Sequence, residues 1–277
     1  MTDCLIGYTG FVGGALHSQQ SFSHLVNSKN SQDMVGRSYG TVVCCGASAV
    51  KWQANKAPER DRAALQDLVA TLSQVQADRF VLISTVDVYP DSSLRHGLAY
   101  EDGPVGGQDH HAYGRHRLWL EEEIARLFPR HHILRLPALF GPGLKKNPLF
   151  DMAHARLLAQ IDPEASFSWY DLTRLTQDIA TAIKADLPLV NLAAEPVSLG
   201  QIRDTLFPGL AIGMALAKDR VSPLYDLRTR NAEAFGGQGA YLYGADETLL
   251  RLVQWASSLG CVAANPDLPA LGTGQPA

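Results

Sequence analysis

The sequence predicts an α/β protein, a doubly wound parallel sheet with a small C-terminal domain. Three observations predict it. Short, continuously apolar runs alternate with stretches of helical periodicity through the first half, the pattern of parallel strands covered on both faces. A glycine-spaced turn, Gly7-Tyr8-Thr9-Gly10-Phe11-Val12-Gly13, joins the first apolar run to the first helical stretch. After Phe140 the alternation stops at Gly141-Pro142-Gly143, a strong chain break.

The elements follow in order. Residues 4–7 read as a strand, 13–18 as the start of a helix and 24–27 as a weak second strand. Residues 41–45 (TVVCC) form a β-branched strand, and 60–76 a helix with Leu65, Leu68, Val69 and Leu72 on one face. Residues 80–84 (FVLIS) are a strand, 112–128 a long amphipathic helix and 133–136 (ILRL) a further strand. Beyond the break, helices are expected at 149–160 and 173–184 and a strand at 189–192. The stretch 197–260 reads as irregular, with a final helix near 246–259. The tail 265–277, rich in Pro, Gly and Ala, is expected to be flexible.

Composition narrows the function classes. Of the 277 residues, 46% are hydrophobic and 19% charged, and the formal net charge is -4, as in ordinary globular proteins. Clustered Lys and Arg are missing, so neither nucleic acid nor an anionic membrane surface is an expected partner. The start has neither a basic segment nor a long apolar one, and no stretch approaches the ~20 apolar residues that span a bilayer. Cys4, Cys44, Cys45 and Cys261 form no Cys-x-x-Cys pair. They read as reduced core thiols of a cytoplasmic protein, with no metal site expected.

The turn at Gly7, Gly10 and Gly13 points to a nucleotide. A glycine at a strand end allows a sharp turn, a second lets backbone approach a pyrophosphate, and a third lets the helix pack close to the sheet. The helix start then presents free N–H groups and a positive dipole end to the phosphates. An NAD site carries an acid roughly twenty residues further on, for the ribose 2′-hydroxyl. Here Asn27-Ser28-Lys29-Asn30 stand in that place, and no acid occurs before Asp33. Ser28 and Lys29, with Arg37 more distant, would suit the 2′-phosphate of NADP. Lys29 as a solvated loop lysine, with NAD as the cofactor, stays open.

The strand 80–84 runs into Thr85-Val86-Asp87-Val88-Tyr89-Pro90. Tyr113 and Arg117 are four apart, so they share one face of the helix at 112–128. Hydride chemistry at a carbon bearing oxygen needs a proton moved at that oxygen. A phenol with a reference pKa of ~10 needs roughly 4 kcal/mol of help to do so near neutrality. A fixed cation beside it supplies part of that, and the Thr85 hydroxyl would hydrogen-bond the same oxygen.

Together these segments resemble the extended short-chain dehydrogenase/reductase family, the NAD-dependent epimerase/dehydratase group, over about residues 3–260. GYTGFVG is similar to its glycine motif, Cys45-Gly46-Ala47 to its cofactor loop and STVDVYP to its Ser/Thr-bearing strand end. YGRHR resembles its Tyr-x-x-x-Lys motif, and LRLPALFGPG its nicotinamide-holding strand and loop. DIATAI and VNLAAEPVSL resemble a later helix and returning strand. The resemblance implies a Rossmann-type fold. Residues 1–142 with about 170–196 would bind the dinucleotide, and about 143–169 with 197–264 would cap the substrate.

It implies Tyr113 as acid/base, Thr85 positioning the oxygen, Arg117 tuning Tyr113 and binding ribose, and Asp87 as a further carboxylate. Cofactor contacts would come from Gly7, Thr9, Gly10, Phe11, Val12, Gly13, Asn27, Ser28, Lys29, Gly46, Ala47, Tyr113, Arg117, Pro137 and Leu139. The expected activity is an NAD(P)-dependent oxidoreductase or epimerase acting on a sugar carbonyl or alcohol, nucleotide-linked, in a homodimer. The alternatives are a ketoreductase on a non-sugar metabolite and a catalytically silent dinucleotide-binding regulator. Three departures from the family pattern stand out: Arg117 replaces lysine, Val86 and Asp87 stand where dehydratases carry Asp-Glu, and Ala138 stands where many sugar-nucleotide members carry asparagine. Lys145 and Lys146 are a solvated pair or a contact for an anionic substrate. His110, His111 and His116 read as surface or lid histidines.

Overall fold

The structure, a computed structural model, describes residues 2–107 and 110–260. The expected flexible tail, and Cys261, lie outside the described residues. The strands are β1 (Cys4–Ile6), β2 (His24–Val26), β3 (Ser38–Cys44), β4 (Gln76–Thr85), β5 (His131–Leu136), β6 (Ala138–Phe140), β7 (Ser166–Phe167), β8 (Trp169–Asp171), β9 (Leu189–Asn191), β10 (Val197–Ser198) and β11 (Leu224–Tyr225). Six of them form one parallel sheet in the order β2-β1-β3-β4-β5-β9. The fold is a Rossmann-type doubly wound α/β sheet. The strand order reverses between β1 and β3, and ligands of such sheets bind at that switch point, beyond the strands' carboxyl ends. Among the described residues the sheet ends at β2 on this side. Only a short 3₁₀ turn, Ser31–Met34, separates β2 from β3.

The helices are α1 (Phe11–Gln19), α2 (Lys51–Lys56), α3 (Pro58–Leu72), α4 (Asp91–Arg95), α5 (Ala112–Leu127), α6 (Pro148–Ala153), α7 (Leu175–Lys184), α8 (Leu199–Leu206) and α9 (Ala245–Ser258). Each sheet strand feeds two cores, which is why the strands read as unbroken apolar runs. Leu5, Val43, Val81 and Leu134 meet Leu16 of α1 and Ile179 of α7 on one face. Ile6, Val42, Leu82 and Ile133 meet Leu65 and Leu72 of α3 and Leu120 and Ile124 of α5 on the other. A third core packs Phe140, Leu149, Trp169, Ile202, Leu252 and Trp255 around the C-terminal segments.

Three sequence expectations need correction. The helix at 149–160 stops at Ala153, because Ala155 and Leu157 adopt positive φ (51° and 50°), which a right-handed helix does not admit. The strand at 80–84 begins at Gln76, where polar residues extend the ladder to β3 from Ser38 onward. The stretch 197–260 holds α8, started by a capping box between Ser198 and Gln201.

Candidate active site

The three turn glycines have distinct physical reasons. Gly7 has φ +82°, and a Cβ there would lie 2.5 Å from the Cys45 carbonyl oxygen. A Cβ on Gly13 would lie 2.2 Å from the Gly7 oxygen, so α1 crosses the turn at a distance only glycine permits. Gly10 is the N-cap of α1 and gives its helix no side-chain cap. The first N–H groups of α1 therefore face the cleft that Phe11, Val12 and Gly13 line. This uncapped helix start, walled by backbone, fits a pyrophosphate.

The cleft has a volume of about 1780 Å³. Ordinary ligand pockets hold roughly 300–1,000 Å³, so there is room for a dinucleotide and a second molecule. Gly7, Thr9, Gly10, Phe11, Val12, Gly13, Asn27, Ser28, Gly46, Ala47, Thr85, Tyr113, Arg117, Pro137 and Leu139 all line it. Lys29 and Asp87 are not among its lining residues. Lys29 is exposed, with its backbone N–H on the Asn27 side chain (2.8 Å). Asn27 also donates to the Tyr8 hydroxyl (3.2 Å).

At the carboxyl ends of β4 and β5 the cleft narrows onto Tyr113, which is 6% exposed. The N–H groups starting α5 are held by Asn55 Oδ1, which accepts from Tyr113 N (3.0 Å), and His111 Nδ1, which accepts from Gly114 N (3.0 Å). The guanidinium carbon of Arg117 stands 4.3 Å from the centre of the Tyr113 ring. Burial pushes the Tyr113 phenol above its ordinary value. The Arg117 charge opposes that shift, Asp87 adds to it, and a hydrogen bond with Thr85 lowers it again. The cation thus supplies part of the help the phenol needs, and desolvation is the larger effect.

Arg117 does not extend its fork into the cleft. Nη1 and Nη2 each donate to the Asp61 carboxylate (2.9 Å), and Nη2 also donates to the Ser48 carbonyl (2.5 Å). His116 Nδ1 lies 2.8 Å from the same carboxylate. Burial favours the neutral Asp61 carboxyl, but hydrogen bonds from Arg117 and His116 hold it below its ordinary value.

Asp87 lies beside this group. Its N–H donates to Thr85 Oγ1 (3.2 Å), and its carboxylate accepts from Lys51 Nζ (2.7 Å). Lys51 also donates to the Tyr225 hydroxyl (3.3 Å), tying α2 to β11 of the C-terminal segments. His110 Nε2 is 2.6 Å from the Asp87 carbonyl oxygen, and His111 Nε2 is 3.8 Å from its carboxylate. The three histidines are thus structural neighbours of the site and no surface lid. Behind it, Arg135 makes a buried pair with Glu121 (2.6 Å), Ser84 donates to that carboxylate, and Arg135 donates to the Tyr89 hydroxyl (2.7 Å). Lys146 donates to the Ala49 carbonyl (3.3 Å), and Lys145 lines the cleft. Among the described residues no group of three His, Cys, Asp or Glu is placed to hold a metal.

Sequence reading missed Asp61, Lys51, Asn55, Ser48 and Tyr225. Each lies far along the chain from its partner, and no spacing marks it.

A scan of protein-family models finds no match, and a search of curated proteins finds none. Solved structures do match. A UDP-glucose 4-epimerase from Thermotoga maritima, with UDP-glucose, has 14% identity and TM-score 0.68, covering 94% of this chain and 99% of its own. MoeE5, with UDP-glucose and NAD, has 17% identity and TM-score 0.65, with coverage of 94% and 99%. A dTDP-4-dehydrorhamnose reductase from Bacillus anthracis, with NADP, has 16% identity and TM-score 0.68, with coverage of 91% and 98%. At these identities the likeness shows the fold.

Proposed function

We propose that the chain is an NAD(P)-dependent oxidoreductase or epimerase of the extended short-chain dehydrogenase/reductase type, acting on a carbonyl or alcohol of a nucleotide-linked sugar. One observation carries this: the glycine-walled helix start and the Thr85–Tyr113–Arg117 group open onto one cleft. A nicotinamide dinucleotide held there supplies a hydride donor or acceptor. Tyr113 moves the proton at the substrate oxygen, Thr85 Oγ1 positions that oxygen, and the Arg117 cation favours the phenolate. Lys51 fixes Asp87 beside them. The C-terminal segments, about 143–169 and 197–260, cap the sugar. The neighbours' ligands, UDP-glucose with NAD in one and NADP in another, support this class.

NADP is the preferred cofactor on this reading. Ser28 lines the cleft, and no acid stands at the end of β2. A cytoplasmic location belongs to this reading, supported by Cys4 and Cys44 packing as buried thiols in the sheet; cell fractionation tests this. It pairs as a homodimer through α3 and α5, where Trp119 is half-buried under Arg62, 3.5 Å from the ring centre; light scattering at micromolar concentration tests that. No helix among the described residues is long and apolar enough to cross a membrane.

The deciding experiment titrates NADPH and NADH against the protein, then follows turnover with a panel of nucleotide-linked 4-keto sugars and their alcohols. Binding with turnover is expected, and failure to bind either cofactor would refute the proposal. A second reading, a silent dinucleotide-binding regulator, is favoured by Arg117 being tied to Asp61; binding without turnover on any member of the panel would select it.

A further inference from the structure

Arg117 stands where the family pattern has lysine, and the structure supplies a reason in Asp61. Arg117, on α5, is buried and Asp61, in the first turn of α3, is largely so, with side chains 3% and 9% exposed. The carboxylate takes both terminal nitrogens of the guanidinium, a two-point grip that fixes its plane. His116 braces the other side of Asp61. Of the Arg117 nitrogens only Nε has no hydrogen-bond partner, although it is buried and its residue lines the cleft. An orphaned buried N–H is costly unless something arrives to accept from it. Lysine cannot make this division, because a single ammonium drawn to Asp61 would leave the cleft.

We infer that Asp61 is a positioning residue: it clamps the fork of Arg117 so that the cation stays over Tyr113 and Nε–H is presented to a cofactor ribose hydroxyl. This rests on the reading of the cleft as a nicotinamide dinucleotide site. It also gives a specific pairing rule. Arginine at 117 belongs with the carboxylate at 61, and lysine at 117 belongs with its absence.

The test uses the full chain and four variants: Asp61→Asn, Asp61→Glu, Arg117→Lys, and the double variant Asp61→Asn with Arg117→Lys. The first readout needs no cofactor. Alkaline titration followed by ultraviolet difference spectra, taken against Tyr113→Phe, isolates the Tyr113 phenol among nine tyrosines. A carboxylate acting only as a nearby negative charge would, on removal, lower the phenol's pKa. A clamp, on removal, lets the cation leave and raises it. Asp61→Asn is expected to raise the Tyr113 pKa by about one unit, the low end for loss of an adjacent opposite charge, with Asp61→Glu partly restoring it.

The second readout is NADPH affinity by fluorescence. Arg117→Lys is expected to bind about tenfold more weakly, the scale of one lost charged hydrogen bond, and the double variant to recover most of that loss. Thermal melting confirms that each variant is folded. Should Asp61→Asn not fold, Arg117→Lys keeps the carboxylate paired and tests the same rule. A lowered phenol pKa in Asp61→Asn, or wild-type NADPH affinity in Arg117→Lys, would overturn the clamp. A wild-type chain that binds neither NADPH nor NADH would instead overturn the dinucleotide reading and leave the phenol titration to judge Asp61.

Discussion

The glycine turn and the helix it starts offer a graded test, because Gly10, Gly13 and Gly14 meet different surroundings. A methyl group on Gly13 would lie 2.2 Å from the Gly7 carbonyl oxygen and 2.7 Å from its carbon, both well inside the 3.4 Å of ordinary contact. Backbone cannot swing aside, so α1 would have to lift from the sheet. Overpacking of this kind costs about 1–3 kcal/mol. At about 2–4 °C per kcal/mol for a domain of this size class, Gly13→Ala should melt several degrees below wild type. Gly14, one residue on, would place its methyl 3.5 Å from the Tyr8 oxygen. Inside a helix alanine outranks glycine by up to about 1 kcal/mol, so Gly14→Ala should be neutral or mildly stabilising.

Gly10 separates binding from folding. Its methyl would meet only the Gly7 oxygen, at 3.3 Å, and its φ of -80° suits any residue. The fold therefore tolerates alanine there, but the methyl would project where a pyrophosphate approaches the helix start. Gly10→Ala should melt close to wild type and bind NADPH at least about tenfold more weakly. Gly10→Asp should abolish binding, since its charge also opposes the phosphates. Differential scanning fluorimetry and NADPH titration on the four variants suffice. Wild-type NADPH affinity in Gly10→Ala would refute the placement, and a wild-type melting point in Gly13→Ala would refute the packing account.

Other substitutions probe the chemistry and its support. Tyr113→Phe keeps the buried ring, so melting and NADPH affinity should hold while turnover on an identified substrate falls about 10²–10⁴-fold, as for loss of a general acid/base; undiminished turnover would remove Tyr113 from that role. Glu121→Ala strands the buried Arg135, and breaking such a pair costs about 3–5 kcal/mol; a denaturant midpoint unchanged from wild type would contradict the buried pair. Burial, aided by the Lys51 charge, lowers the His111 pKa from 6.5 to about 4. The unfolded chain therefore binds more protons across that interval, and stability should fall as pH drops through it. His111→Asn keeps a helix cap and should flatten the acid side of the stability profile.

Much of the fold was legible because it is written locally. Val42, Val43, Phe80 and Leu82 read as parallel strands because both faces of the sheet are covered, and that demand falls on every residue of the run. The Gly7–Gly13 turn was legible because its constraint is steric and falls within seven consecutive positions. The C-terminal part hid for the opposite reason. Its strands β7, β10 and β11 are two residues each, too short to show a period, and are placed by pairing across long stretches of sequence. The break after Ala153 lies in backbone angles at Ala155 and Leu157, residue types that do not announce a left-handed conformation.

The site divides along the same line. Thr85, Tyr113 and Arg117, which the structure brings to one cleft, could be singled out because each ends a strand or shares a helix face, and such spacing survives in one dimension. What those residues can do is set by partners that spacing cannot reach: Asp61 lies 56 positions from Arg117, and Lys51 lies 36 from Asp87. Asp61 changes the meaning of the substitution at 117. Read alone, arginine in place of lysine keeps the charge and the reach to a ribose hydroxyl, but its side chain is bulkier and forked. Held by its two terminal nitrogens, the same side chain becomes a fixed cation whose Nε–H is left without a protein acceptor. The motif residue and its distant carboxylate form one buried ion pair, so a test that changes only one of them measures the mismatch as well as any role the pair has.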